Sequence, residues 1–281
     1  MHKLTGIVDE PVSCGGRDHL DISVHTKSLI RFIRETNTPI TIGIQGEWGS
    51  GKTSLLNSIY HDFSSNQEYK QIWINSWEYS LLSSPEESLL KIINKILDDL
   101  LEADDDVERK TKIKNGAEKL LKGAFRIGVS AVSGGADIAN DMFASDQSIS
   151  HLRGQLKMLV EEISLRDTNP IKKIIVYVDD LDRIEPKNAV AILELLKNIF
   201  SIPHCVFILA IDYQVVVKGL EYKFGKQTPE NEWEFRAFFD KIIQLPFMMP
   251  MGQYNIGKYV NYLLTEVGFV GEEGLDDQDI S

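Results

Sequence analysis

Eight consecutive residues, Gly46-Glu47-Trp48-Gly49-Ser50-Gly51-Lys52-Thr53, carry the spacing glycine, four residues, glycine-lysine-threonine. That spacing is the Walker A pattern, and its chemistry is the capture of a polyphosphate. Glycines let the backbone curl until successive N–H groups converge on an anion. A helix starting at the end of the turn adds the partial positive charge of its N-terminus. Lys52 is placed to reach β- and γ-phosphates and to act in catalysis there, and the Thr53 hydroxyl to hold Mg2+. Ser54 completes the stretch expected to contact a bound nucleotide. Trp48 is bulky for such a turn; covering the nucleotide, packing on a partner and filling space are all open to it.

A second set of groups follows the run Ile174-Ile175-Val176-Tyr177-Val178, which ends in Asp179-Asp180-Leu181-Asp182-Arg183. Apolar residues followed by an acid form the Walker B pattern, in which the acid holds Mg2+ at the carboxyl end of a strand. Asp179 is therefore the expected metal carboxylate, alongside Thr53. In NTPases with an extra strand between the two Walker strands, the acid that follows directly polarises the attacking water. Asp180 is the expected general base and Asp182 the second choice. Carboxylates this close raise one another's pKa unless a metal or an arginine compensates. Asp212 ends another apolar run and reads equally as a γ-phosphate sensor and as a helix cap. Charge building on a transferring phosphoryl group calls for a cation. Arg183 and Arg236 are the candidates, though a structural role is the simpler reading of each.

These groups need rigid elements to position them. Residues 40–44 read as a buried strand entering the turn and 54–59 as the start of a helix leaving it, the setting Walker A requires. A helix is expected over 23–35, with Leu29, Ile30, Phe32 and Ile33 on its apolar side. A second strand falls within 69–77. Ser84-Pro85-Glu86-Glu87 is a helix start; that helix runs to about residue 102, with Leu89, Ile93, Ile96, Leu97 and Leu100 as a core stripe. Further helices are expected over 151–163 (Leu152 and Leu156 among its inward residues), 186–200 (Phe200 at its inward end), 214–224, 232–240 and 256–267. Residues 174–178 and 205–211 read as central buried strands, and 242–245 as a short strand stopped by Pro246. Residues 104–147 form an insertion, densely charged and then rich in small residues, and 266–281 an acidic tail.

A chain of 281 residues has room for one large α/β domain with a satellite. The net charge of −12 argues against a general nucleic-acid surface. Two cysteines, Cys14 and Cys205, make no disulfide framework and suit a reducing cytosol. No leader segment is visible, and no apolar run reaches the roughly 18 residues of a membrane span. The expected location is cytoplasmic, with association at a membrane surface left open.

Taken together, the motifs resemble the KAP family of P-loop NTPases. The shared landmarks are Gly43-Ile44-Gln45 running into the Walker A turn, Asn75-Ser76-Trp77-Glu78, Asp179 through Pro186, Phe207 through Asp212, and Phe239 through Phe247. The likeness covers about residues 15–265. It implies an α/β fold, a P-loop NTPase three-layer sandwich with a mostly parallel five-stranded central sheet and a helical insertion between Walker A and Walker B, within a domain of residues 1–265. It implies ATP as substrate, Mg2+ as cofactor and a hydrolysis-driven conformational switch; the alternative is a module that assembles on ATP with little hydrolysis. Bacterial members often act in defence against phage or plasmids, usually with further domains, so protein partners or self-association are expected. Many members carry membrane helices in the insertion; here it is too polar to span. By analogy with lead-in segments of related folds, Arg17-Asp18-His19 is expected near the base.

Overall fold

The computed structural model describes residues 11–12, 18–80, 85–102, 107–108, 111, 114–115, 146–165 and 170–269. Most of the 104–147 insertion, most of the acidic tail, Cys14, Arg17 and the expected cap Ser84 lie outside them, as do the side chains of Leu89, Leu152 and Phe200.

Five strands form one sheet in the order β2-β3-β4-β1-β5: β1 (Ile40–Gln45), β2 (Tyr69–Asn75), β3 (Lys173–Asp179), β4 (Cys205–Ile211) and β5 (Leu245–Met248). Every pairing is parallel. Parallel neighbours need crossovers, and helices supply them. In chain order the helices with described bounds are α1 (Ser23–Glu35), α2 (Lys52–Ser64), α3 (Ser76–Ser80), α4 (Pro85–Glu102), α5 (Asp146–Ser164), α6 (Pro186–Phe200), α7 (Tyr213–Phe224), α8 (Glu232–Ile242) and α9 (Ile256–Glu266), of which α2 to α8 lie between the first and last strands.

The three layers follow from period-two alternation along strands that are apolar at nearly every position. Ile174, Val176 and Val178 of β3, with Phe207, Leu209 and Ile211 of β4, enter a core covered by α4 to α8. Ile175 and Tyr177, with Val206, Ile208 and Ala210, enter the opposite core under α1 and α2. On α1 the buried positions are Thr26, Leu29, Ile30 and Ile33, a three-four spacing that leaves the expected core residue Phe32 on the outer side.

One boundary falls inside the range read from the sequence and one differs from it. The second strand stops at Asn75, because its side-chain oxygen accepts from the backbone N–H of Trp77 (3.1 Å) and Glu78 (3.3 Å) and so starts α3. The expected strand over 242–245 belongs instead to 245–248, with Pro246 inside it rather than ending it. Helix α8 persists to Ile242, and the backbone N–H of Ile243 still bonds Phe239. Pro246 is tolerated because β5 is an edge strand. Met249, three residues on, donates to Gln45 O of β1, so by alternation the proline nitrogen lies on the open side.

Lys173, at the start of β3, is buried and ends α1 from across the domain. Its ammonium donates to the carbonyls of Ile33 (2.7 Å), Arg34 (2.9 Å) and Thr36 (2.7 Å). These carbonyls have no partner within the helix, so one side chain satisfies three acceptors and anchors α1 to the sheet. Burial holds the Lys173 pKa below the ordinary lysine value.

Candidate functional site

Strand β4 lies between β1 and β3, so the turns after β1 and β3 open on the same carboxyl edge of the sheet. The first turn is residues 46–51. Gly49 (φ 77°) and Gly51 (φ 86°) take left-handed backbone that a side chain would strain, and Gly51 hands the chain to α2 at Lys52. A Cβ on Gly46 would sit 2.4 Å from Ser50 Oγ. The turn is therefore closed on itself as tightly as glycine allows. Ser50 Oγ is buried, with no hydrogen-bond partner among the described residues. The Ser50 carbonyl accepts from the Tyr254 hydroxyl at 2.6 Å, tying the turn to the segment before α9.

Lys52 is only 8% exposed. Its ammonium donates to the carbonyls of Gly46 (2.9 Å) and Glu47 (3.0 Å) and lies 2.9 Å from Asp182 Oδ2. The Thr53 hydroxyl donates to Asp179 Oδ1 at 3.3 Å, joining the two motifs directly. Asp179 is buried and also accepts from its neighbour's backbone N–H at 2.9 Å. Burial raises its pKa, and the Asp180 and Asp182 charges add to the rise against the two hydrogen bonds. Asp180 stands in left-handed backbone (φ 57°), with Oδ1 2.6 Å from Arg183 Nε. Its pKa too is raised by burial, opposed by Arg183 and by a hydrogen bond from Asn75.

A cavity of about 620 Å³ opens over these groups. Its wall takes in Gly49, Gly51, Lys52, Thr53, Asp179 and Asp182 from the two turns. It also takes in Leu20, Ile22, Tyr254, Ile256 and Tyr259, an apolar and aromatic group, beside polar side chains such as Lys27 and His61. Trp48, Ser54, Asp180 and Arg183 also reach it. Of the remaining expected contact residues, Gly46 and Glu47 turn their carbonyls to Lys52, and Ser50 is buried behind the turn. Asp212 caps α7, accepting from Gln214 N at 2.8 Å, and is not in the cavity wall. Arg236 is paired with Glu232 on the exposed side of α8.

The apolar group has no sequence motif. It is assembled by polar bonds between the lead-in and α9, two stretches more than 230 residues apart. Lys258 Nζ bonds Asp21 and donates to Asp18 O at 3.0 Å. Asn255 donates to Asp21 Oδ2 (3.1 Å) and, through its backbone, to Leu20 O (3.1 Å). Asp18 folds the lead-in by accepting from Leu20 N and Ser23 N. His19 stacks on Tyr262 with ring centroids 3.6 Å apart.

The donor set fits what the motifs imply. A hydroxyl and a carboxylate facing each other are hard oxygen ligands suited to Mg2+. An inward-curled glycine turn with a lysine at its mouth suits a polyphosphate. Among the described residues no helix is long and apolar enough to cross a membrane.

The comparisons with known proteins agree with this geometry. The Phage T7 exclusion protein of Escherichia coli (strain K12) is 25% identical over 233 residues, which cover 74% of this chain and 30% of that protein. The chain thus spans about a third of that relative's length. A sequence model of the KAP family P-loop domain matches residues 23–266. Since that match runs from α1 to the end of α9 and takes in both turns that meet at the cavity, the chain belongs to the KAP family of P-loop NTPases, a nucleotide-binding group.

Proposed function

We propose that this domain binds Mg2+-ATP and hydrolyses it, and that turnover works a conformational switch. The observation that carries the reading is the 3.3 Å bond between Thr53 and Asp179, which brings the phosphate-binding and acidic motifs to one cavity. The phosphates lie against the glycine turn and the N-terminus of α2, with Lys52 drawn to them. A magnesium ion held by Thr53 and Asp179 would supply charge neutralisation on the phosphate oxygens. Asp180 orients and deprotonates the attacking water, for which a carboxylate with a raised pKa is suited. Of the two candidate arginines, Arg183 lines the cavity and is paired with Asp180, whereas Arg236 is paired with Glu232 outside it.

The switch has a local origin. To reach a phosphate, Lys52 exchanges bonds to Asp182, Gly46 O and Glu47 O for bonds to ligand. Differential affinity for the γ-phosphate then shifts the population of the turn's conformations. The name of the relative suggests that the switch serves phage exclusion, together with protein partners or further copies of the chain.

Phosphate release by the purified chain tests this. Lys52→Ala is expected to lose ATP binding, and Asp180→Asn to bind ATP with at least a hundredfold lower turnover. Wild-type turnover by Asp180→Asn removes the base assignment. ATP-dependent assembly without phosphate release, with partners present, favours a scaffold instead.

A further inference from the structure

Arg183 meets three segments that are separate in the chain. Its Nε lies 2.6 Å from Asp180 Oδ1, after β3. Its guanidinium carbon is 4.5 Å from the ring centre of Trp48, in the glycine turn after β1. The same carbon is 5.8 Å from the ring centre of Trp77, in α3 after β2. A planar cation that is paired with a carboxylate and also sits over indole faces is held from several directions. Trp48 remains 67% exposed and Trp77 39%, so neither ring is explained as core. Asp180 stands in left-handed backbone, which aspartate enters more readily than most residues but still at some cost. The partner that holds its carboxylate is Arg183, 2.6 Å away.

We infer that Arg183 is a positioning residue that couples the glycine turn to Asp180 through Trp48. A ligand seated in the turn shifts Trp48; Arg183 shifts with it, and the Asp180 carboxylate is turned toward or away from the attacking water. This deepens the hydrolytic reading above and rests on it. The role differs from that of a plain ion pair, because it requires the indole of the phosphate-binding turn as well as the carboxylate.

The test uses the full chain. Steady-state phosphate release and equilibrium binding of AMP-PNP are measured with Mg2+ for wild type, Arg183→Lys, Arg183→Gln, Trp48→Leu and the double variant Trp48→Leu/Arg183→Gln. Arg183→Gln is expected to lower kcat by about tenfold or more, while the dissociation constant moves less than about threefold. Arg183→Lys recovers part of the loss. Trp48→Leu lowers kcat less, and the double variant is no worse than Arg183→Gln, because the two residues act in one chain of contacts. In parallel, AMP-PNP is expected to shift tryptophan emission in wild type, with the shift lost in Trp48→Phe and altered in Arg183→Gln. Wild-type kcat in Arg183→Gln, a loss wholly in affinity, multiplicative effects in the double variant, or an emission shift indifferent to Arg183 each overturns the coupling. A wild-type chain that binds AMP-PNP but releases no phosphate from ATP removes the hydrolytic reading itself. A chain that turns over normally without Arg183 removes the coupling alone.

Discussion

The Lys52 ammonium and the Asp182 carboxylate lie 2.9 Å apart, with the two side chains 8% and 10% exposed. A pair this buried is costly to break from one side, about 3–5 kcal/mol when the remaining charge is left alone. A phosphate bound as proposed would compete with Asp182 for the same ammonium, and the carboxylate adds negative charge to the cavity wall. Asp182→Asn keeps one hydrogen bond to Lys52, so its stability loss is expected near 1–3 kcal/mol. ATP is expected to bind several-fold tighter, and to raise the melting temperature of the variant more than that of wild type. Calorimetric titration beside thermal denaturation checks both. Weaker ATP binding by folded Asp182→Asn would show that the carboxylate assists the ligand rather than opposing it.

The apolar lining of the cavity predicts a second division of labour. Ile256 and Tyr259 line it and belong to neither phosphate-binding nor acidic motif. Apolar burial of one such side chain is worth about 1.5–3 kcal/mol, or roughly ten- to a hundredfold in affinity. Ile256→Ser and Tyr259→Ser are expected to weaken ATP by about tenfold or more while leaving inorganic tripolyphosphate within about twofold. Equal losses for both ligands would place the nucleoside elsewhere.

The phosphate end of this site was legible because its chemistry is local. A glycine turn, a lysine and a run of acids after apolar strands are sequence signals in themselves, and β3 and β4 are read easily because they are buried on both faces. The apolar lining was not legible. Leu20, Ile22, Tyr254 and Tyr259 carry no shared spacing, and long-range bonds such as those of Asp21 to Lys258 and Asn255 bring them together. Lys173 reads as an ordinary charge before a strand, yet its role is set by three carbonyls of a helix about 140 residues earlier. β5 was misplaced for a related reason: proline is an obstacle in a central strand, and the sequence does not say which strand forms the edge.

Two glycines separate binding from folding. Gly51 turns the chain into α2 at φ 86°, and among the described residues a Cβ there would meet only the Met249 methyl, at 3.7 Å. Gly51→Ala is thus limited by backbone strain, about 1–2 kcal/mol, borne by the turn that must cradle phosphate. ATP affinity is expected to fall at least tenfold with a modest drop in melting temperature. Gly219 lies where α7 meets α6, and a Cβ there would come 2.2 Å from Pro186 O and 2.7 Å from Val190 Cγ2. Gly219→Ala forces the helices apart at a cost of about 1–3 kcal/mol. Its melting temperature is expected to fall while the folded protein binds ATP as wild type. Denaturation and titration on the same samples decide both, and a reversed pattern would contradict this assignment of the two glycines.

Cys205 offers a probe of the central sheet that does not depend on the cavity. It begins β4, is 2% exposed, and its thiol is pushed by burial from about 9.0 up to about 12. The thiolate is the reactive form, so Cys205 is doubly protected, by the packing around it and by the proton it keeps. At pH 8 iodoacetamide is expected to leave the Cys205 peptide unmodified in the native protein and to label it fully in guanidinium chloride, as read by peptide mass spectrometry. The same shift has a sign in stability. A thiol whose pKa is raised on folding contributes fully below the unfolded value and loses that contribution as pH rises from about 9 toward 12. Cys205→Ala is therefore expected to be less stable than wild type at pH 8, through the space it leaves, but to lose less stability on passing from pH 8.5 to 11. Taking the difference between the two proteins cancels the lysines and tyrosines that titrate over the same range. Rapid labelling of native Cys205, or parallel stability curves for the two proteins, would mean that β4 opens to solvent far more readily than a strand flanked on both sides should.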